Sequence, residues 1–201
     1  MSSRKILCAV SLCALLATIT GVVVASDVRA GQLDDLDLPV GTVVVDQDTL
    51  DQAGAFDGEF VFAGGQKERD GVDAAIETSV AALSPMLRKL GRKRLQESNP
   101  VFASLSISVD GDSAEIAFDN DSHEAKLDGT PIKAKSKDGE KVKVSHRMRG
   151  TKLTQLLDGV GGDRLNEFRL SDDGKRVTVK VKIISGHLPV PVEYRLTYKR
   201  K

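Results

Sequence analysis

Tryptophan is absent from this 201-residue chain, and aromatic side chains make up only 4% of it. A core must therefore be packed mainly from Val, Leu, Ile and Ala, and no aromatic platform for stacking nucleic-acid bases is visible. Cysteine occurs twice, as Cys8 and Cys13, both within the first fifteen residues. Loss of that leader would leave no thiol, which excludes disulfides, thiolate metal sites and cysteine nucleophiles. There is no Gly-x-Ser-x-Gly elbow and no His-Glu-x-x-His. The glycines of "DGVGGD" lack the strand-to-helix setting that a phosphate loop needs and read as a turn. Lysine and arginine are missing from residues 31–60, which carry the carboxylates Asp34, Asp35, Asp37, Asp46, Asp48, Asp51, Asp57 and Glu59.

What is present begins with a leader. Arg4 and Lys5 precede an apolar run from Ile6 to Ala25, and small residues follow in a Val-x-Ala pattern. This is the form of a secretory signal peptide, residues 1–25, cleaved after Ala25, with Ala30 as the second candidate. The alternative is an uncleaved anchor, since twenty helical residues reach about 30 Å. Either way the protein is expected to be exported, to a periplasm or the outside. Residues 31–54 read as an acidic, partly mobile arm, and 55–201 as one folded domain. The formal net charge is zero, so the acidic start is balanced by a cationic remainder.

Within the domain, "GEFVF" reads as a strand. Val72, Ile76, Val80, Leu83, Leu87 and Leu90 then recur at helical spacing. Pro85 interrupts that stripe and predicts a kink or two helices, near 67–83 and 86–97. After Pro100 the period becomes two. Asp110-Gly111, Asp128-Gly129, Asp138-Gly139, Asp158-Gly159 and Asp173-Gly174 mark turns between alternating segments, which predicts an antiparallel meander of seven or eight strands. In "VTVKVKII" Val177, Val179, Val181 and Ile183 share one side, and Lys180 and Lys182 lie on the other. Val142, Val144 and Met148 alternate with Lys141, Lys143 and Arg147 in the same way. Sheets with one wet face bury the other. One helical pair cannot cover so many strands, so the sheet must curl on its own apolar side. The expected fold is α+β: a kinked or paired amphipathic helix on a curved antiparallel β-meander, barrel-like or half-barrel.

The order of strand, helix pair and hairpin meander over residues 55–201 resembles the calycin-like ligand-binding barrels. The helical insertion after the first strand is similar to the fatty-acid-binding branch, and the leader to secreted lipocalins. "RLSDDGKRVTVKVKI" followed by "YRLTYKR" also resembles strand pairs in uncharacterised secreted bacterial proteins. The resemblance implies a non-enzymatic carrier for an apolar or anionic amphipathic molecule, such as a lipid, held between sheet and helix, without a cofactor. The residues placed to line such a site are Ile76, Val80 and Leu83 from the helix, and Val144, Val179, Val181, Tyr194 and Leu196 from the sheet. Plain core packing is the alternative role for each. Arg88, Lys89, Arg92, Lys93 and Arg94 form a cationic run that suits an anionic head group or surface, or else a solvated helix face. A structural or interaction protein with a filled core is the second reading. Among the histidines, His146 points inward with Val142 and Val144, His123 sits beside a turn, and His187 falls in a loop. Their spacing makes no metal site, and neither enzymatic chemistry nor specific nucleic-acid binding is expected.

Overall fold

The computed structural model describes residues 44–136 and 139–201. The leader, both cleavage candidates and the acidic residues Asp34, Asp35 and Asp37 lie outside the described residues. Among the described residues three helices and ten strands follow in chain order: α1 (Gln47–Gly54), β1 (Gly58–Phe62), α2 (Gly65–Ala81), α3 (Pro85–Ser98), β2 (Ser104–Asp110), β3 (Ser113–Phe118), β4 (Asp121–Lys126), β5 (Ile132–Lys135), β6 (Lys141–Arg149), β7 (Lys152–Gly159), β8 (Gly162–Leu170), β9 (Arg176–Ile184) and β10 (Val192–Arg200). The helix pair and the meander stand in the expected order.

Two expectations are corrected. Residues 47–54, expected within the arm, form α1. Asp46 caps it by accepting a hydrogen bond from the Thr49 amide at 2.9 Å, and the Thr49 side chain together with that amide holds the Asp46 carboxyl below its usual pKa. Ala53 near its end and Phe56 just past it are buried. The strands after Pro100 number nine, not seven or eight. Asp158-Gly159 closes β7 instead of turning, and the β6–β7 turn falls at Gly150-Thr151, where Gly150 takes φ 55°. A left-handed residue outside an Asp-Gly pair escapes the turn pattern.

All ten strands form one antiparallel sheet in the order β4-β3-β2-β1-β10-β9-β8-β7-β6-β5. Among the described residues the two end strands do not pair with each other. Instead the chain just past β4 meets β6: the Met148 amide donates to the Leu127 carbonyl at 3.0 Å, and the Gly129 amide to the His146 carbonyl at 2.8 Å. The barrel is therefore sewn shut at one end, which α1 adjoins through β6. Towards the other end, where α2 and α3 lie, β4 and β5 part in a wedge.

The two-faced strands resolve as expected. Val177, Val179 and Val181 of β9 face inward opposite Tyr198, Leu196 and Tyr194 of β10. Lys180 lies outside opposite Arg195, and Lys182 outside opposite Glu193, 3.0 Å away. Each buried valine contributes on the order of 1.5–3 kcal/mol through removal from water. Helix α2 packs Val72, Ile76 and Val80 on this core. It is tied down at its start by Glu68, which accepts from the Thr197 amide at 2.6 Å and its hydroxyl at 2.7 Å. Near its end the Ser79 hydroxyl donates to the Val190 carbonyl at 2.6 Å. Pro85 resets the helix, so the buried stripe ends at Leu83, and Leu90 turns partly to solvent.

Candidate functional site

Register places three inward rows side by side across β6 to β10. One is apolar: Met148, Leu153, Phe168, Val179 and Leu196 are successive cross-strand partners. The next is His146, Gln155, Asn166, Val181 and Tyr194. The third runs from Val144 through Leu157, Arg164 and Ile183 to Val192. A polar seam thus crosses a greasy interior, and burial obliges its groups to satisfy one another.

They do so in a chain. His146 Nδ1 lies 3.0 Å from the Ala114 carbonyl oxygen, and Nε2 lies 3.1 Å from Gln155 Nε2. Asn166 Nδ2 donates to Gln155 Oε1 at 2.9 Å. Arg164 Nε donates to Asn166 Oδ1 at 3.1 Å, Nη1 to Asn99 Oδ1 at 3.3 Å and Nη2 to Tyr194 Oη at 3.4 Å. Asn99 sits at the C-terminus of α3 and is held there by donating to the Leu95 carbonyl at 2.8 Å. The helix end therefore delivers an amide onto the guanidinium. Burial in this surround drives the His146 pKa down from 6.5 to about 4, because the charged ring would lose its hydration.

Arg164 is 8% exposed and its three partners are neutral. Among the described residues no carboxylate lies within ion-pair distance of it. A buried cation without an anion is costly, and such a group is ordinarily paired. The guanidinium lines a cavity of about 60 Å³ under the end of α3, at the wedge between β4 and β5. Apolar walls come from Phe102, Ile116, Phe118, Val142, Leu157 and Ile183, and Asp121, His123 and Asp163 stand among the polar lining. The His123 pKa is also lowered by burial, partly opposed by Asp121, 3.8 Å away.

None of the residues placed in a ligand site from the sequence lines this cavity. Ile76, Val80, Leu83, Val179, Val181, Tyr194 and Leu196 are buried in the main apolar cluster, and Val144 in a smaller one. Of these, Val181 and Tyr194 stand in the row of the seam, and Tyr194 meets Arg164 through its hydroxyl. The cationic run is spread over α3 and is largely engaged at home. Arg88 donates to the Leu83 and Ala81 carbonyls at 3.0 Å each, closing the end of α2. Arg92 grips the Glu77 carboxylate, with Nη2 at 2.7 Å, and Lys93 lies 3.9 Å from Glu97. Lys89 is exposed. Arg94 also has a partner within the chain. Arg164, Asn166 and Gln155 escaped the sequence reading because β7 and β8 do not alternate cleanly. A period-two search for apolar faces passes over a polar residue that points inward. Among the described residues, no group of three His, Cys, Asp or Glu is placed to hold a metal ion.

The chain is thus a barrel capped by a helix pair, with a polar seam and the Arg164 guanidinium buried inside it. No family model and no curated protein matches the sequence. The fold is similar to solved structures of small lipid-binding proteins. The apo lipid binding protein 8 of Caenorhabditis elegans is 12% identical, covering 79% of this chain and 100% of its own, with a TM-score of 0.48. A Schistosoma mansoni fatty acid binding protein in complex with arachidonic acid is 20% identical, over 75% and 98%, with a TM-score of 0.45. The brain fatty-acid-binding protein of Drosophila melanogaster is 17% identical, over 72% and 98%, with a TM-score of 0.45.

Proposed function

We propose that this protein is an exported, non-enzymatic binding or carrier protein for an amphipathic anion. The anionic head is taken by Arg164, with Tyr194 and Asn99 beside it, and the tail lies along the apolar walls towards the β4–β5 wedge. The observation that carries this reading is the buried Arg164 guanidinium, which meets only neutral partners while facing a cavity. An incoming carboxylate or sulfonate supplies the missing charge through charge-assisted hydrogen bonds.

The size of the cavity sets a condition. About 60 Å³ holds a few water molecules, whereas sites for drug-sized ligands run to roughly 300–1,000 Å³. A tail therefore enters only if the wedge opens. Among the described residues the backbone hydrogen bonds that join the chain past β4 to β6 are those of Leu127 and Gly129, and none joins β4 to β5, which leaves those two strands free to part. The same small volume favours the second reading, a protein with a filled core that acts through its charged surface.

One experiment decides between them. Decane-1-sulfonate is titrated into the protein by calorimetry, with Arg164→Met compared after its circular dichroism has been matched to the parent. The carrier reading expects saturable binding that weakens more than about tenfold in the variant. No saturable binding to the parent leaves the filled-core reading standing.

A further inference from the structure

The hydrogen bonds along the polar seam run in one direction only. The Ala114 carbonyl can only accept, so His146 Nδ1 carries the hydrogen and Nε2 of the neutral ring is an acceptor. Gln155 must then turn its amide nitrogen to Nε2, which leaves Oε1 for Asn166 Nδ2. Asn166 is thereby left with Oδ1 towards Arg164, where it accepts from Nε. Each amide has its orientation dictated by the one before it, starting from the imidazole.

We propose that His146 is a positioning residue for Arg164, and that protonation of His146 and anion occupancy at Arg164 are linked through Gln155 and Asn166. This rests on the reading of Arg164 as the anion site. A proton on Nε2 turns that atom into a donor. Gln155 must rotate to present Oε1, its nitrogen then faces Asn166, and Asn166 rotates in turn. The Asn166 nitrogen now meets the Arg164 Nε–H, donor against donor, and the guanidinium loses its internal acceptor. A bound anion supplies that acceptor. The added positive charge acts in the same sense, so the two effects do not compete. Binding of an anion therefore favours the protonated ring, and by reciprocity acid strengthens anion binding.

The groups that face His146 are few. β3 presents the Ala114 carbonyl, β4 presents the Ala125 carbonyl and His123, and β7 presents Gln155. Of these only His123 titrates, with Asp121 beside it. His123→Asn is therefore the control that must keep the effect.

The test uses decane-1-sulfonate, whose head group stays ionised throughout, at pH 7 and pH 4.5. The expected result is at least about threefold tighter binding at pH 4.5 in the parent and in His123→Asn, and none of this gain in His146→Asn or Gln155→Met. In the parent protein the His146 ring proton, followed by NMR, should titrate about one pH unit higher with the sulfonate bound. That measurement needs no variant to fold. Binding that requires Arg164 but does not strengthen in acid, an unmoved His146 titration, or an acid gain that survives in Gln155→Met overturns the linkage and leaves the anion site intact. Absence of saturable binding, or binding indifferent to Arg164→Met, overturns both.

Discussion

Acid should unfold this protein partly through one side chain. His146 is fully buried and held neutral, its pKa lowered from 6.5 to about 4 by lost hydration. The unfolded chain takes up the proton near pH 6.5, while the folded chain does so only near 4. Between these values the unfolded state binds more protons, so stability falls as pH falls. The contribution is whole above pH 6.5, shrinks through the window and is exhausted below about 4. At about 1.36 kcal/mol for each unit of difference, the loss from pH 7 to 4.5 comes to about 2 kcal/mol. Urea unfolding of the parent and of His146→Asn at both pH values measures it. Glu167, whose pKa is also lowered, contributes with the same sign but is common to both proteins and cancels in the double difference, and repeating the pair of measurements in a His123→Asn background removes the part that His123 shares with His146. With a urea slope of roughly 2 kcal/mol/M, the parent should lose roughly 1 M more of its midpoint than the variant. A double difference below about 0.5 kcal/mol would refute the claim that the ring is neutral and dry.

Phe168→Ala removes the largest side chain from the apolar row beside the seam, next to Phe118, and should cost about 3–5 kcal/mol by urea unfolding. Glu68→Ala releases the start of α2 from both Thr197 donors and should cost about 1–3 kcal/mol, with faster amide exchange in α2 than in β9. Glu77→Gln breaks an exposed pair with Arg92 and should leave the urea midpoint unchanged within the error of the measurement. Arg164→Met should leave the folding midpoint within about 1 kcal/mol of the parent, because the lost hydrogen bonds are offset by relief of a buried charge.

The barrel could be read from the sequence because it depends on repeated local signals. Valines at every second position, lysines between them and Asp-Gly turns each state which side of a strand is dry, and Pro85 divides the helix pair unaided. Helix α1 was hidden because its eight residues are acidic and bury little more than Ala53 and, just past its end, Phe56; its signal is the single cap at Asp46. The candidate site was hidden for another reason. Arg164, Asn166, Gln155 and His146 come from three strands and meet only through register, and Asn99 arrives from a helix end. A pattern along one strand marks polar residues in an apolar row as exceptions, and it cannot say that the exceptions lie side by side.

That adjacency is what gives the seam its meaning. A barrel that only needed to be full could place leucine at 164, between Leu157 and Ile183, and lose nothing in packing. It instead buries a permanent cation and then arranges Asn99, Asn166 and Tyr194 around it, each of which must also be satisfied. Four buried polar groups are harder to accommodate than one apolar side chain, and a core does not gain stability by them. The wedge between β4 and β5 opens beside the same guanidinium, where the sheet gives up its hydrogen bonds. A costly charge and an unsewn seam at one place in an otherwise closed barrel have a common physical explanation if an anion enters there.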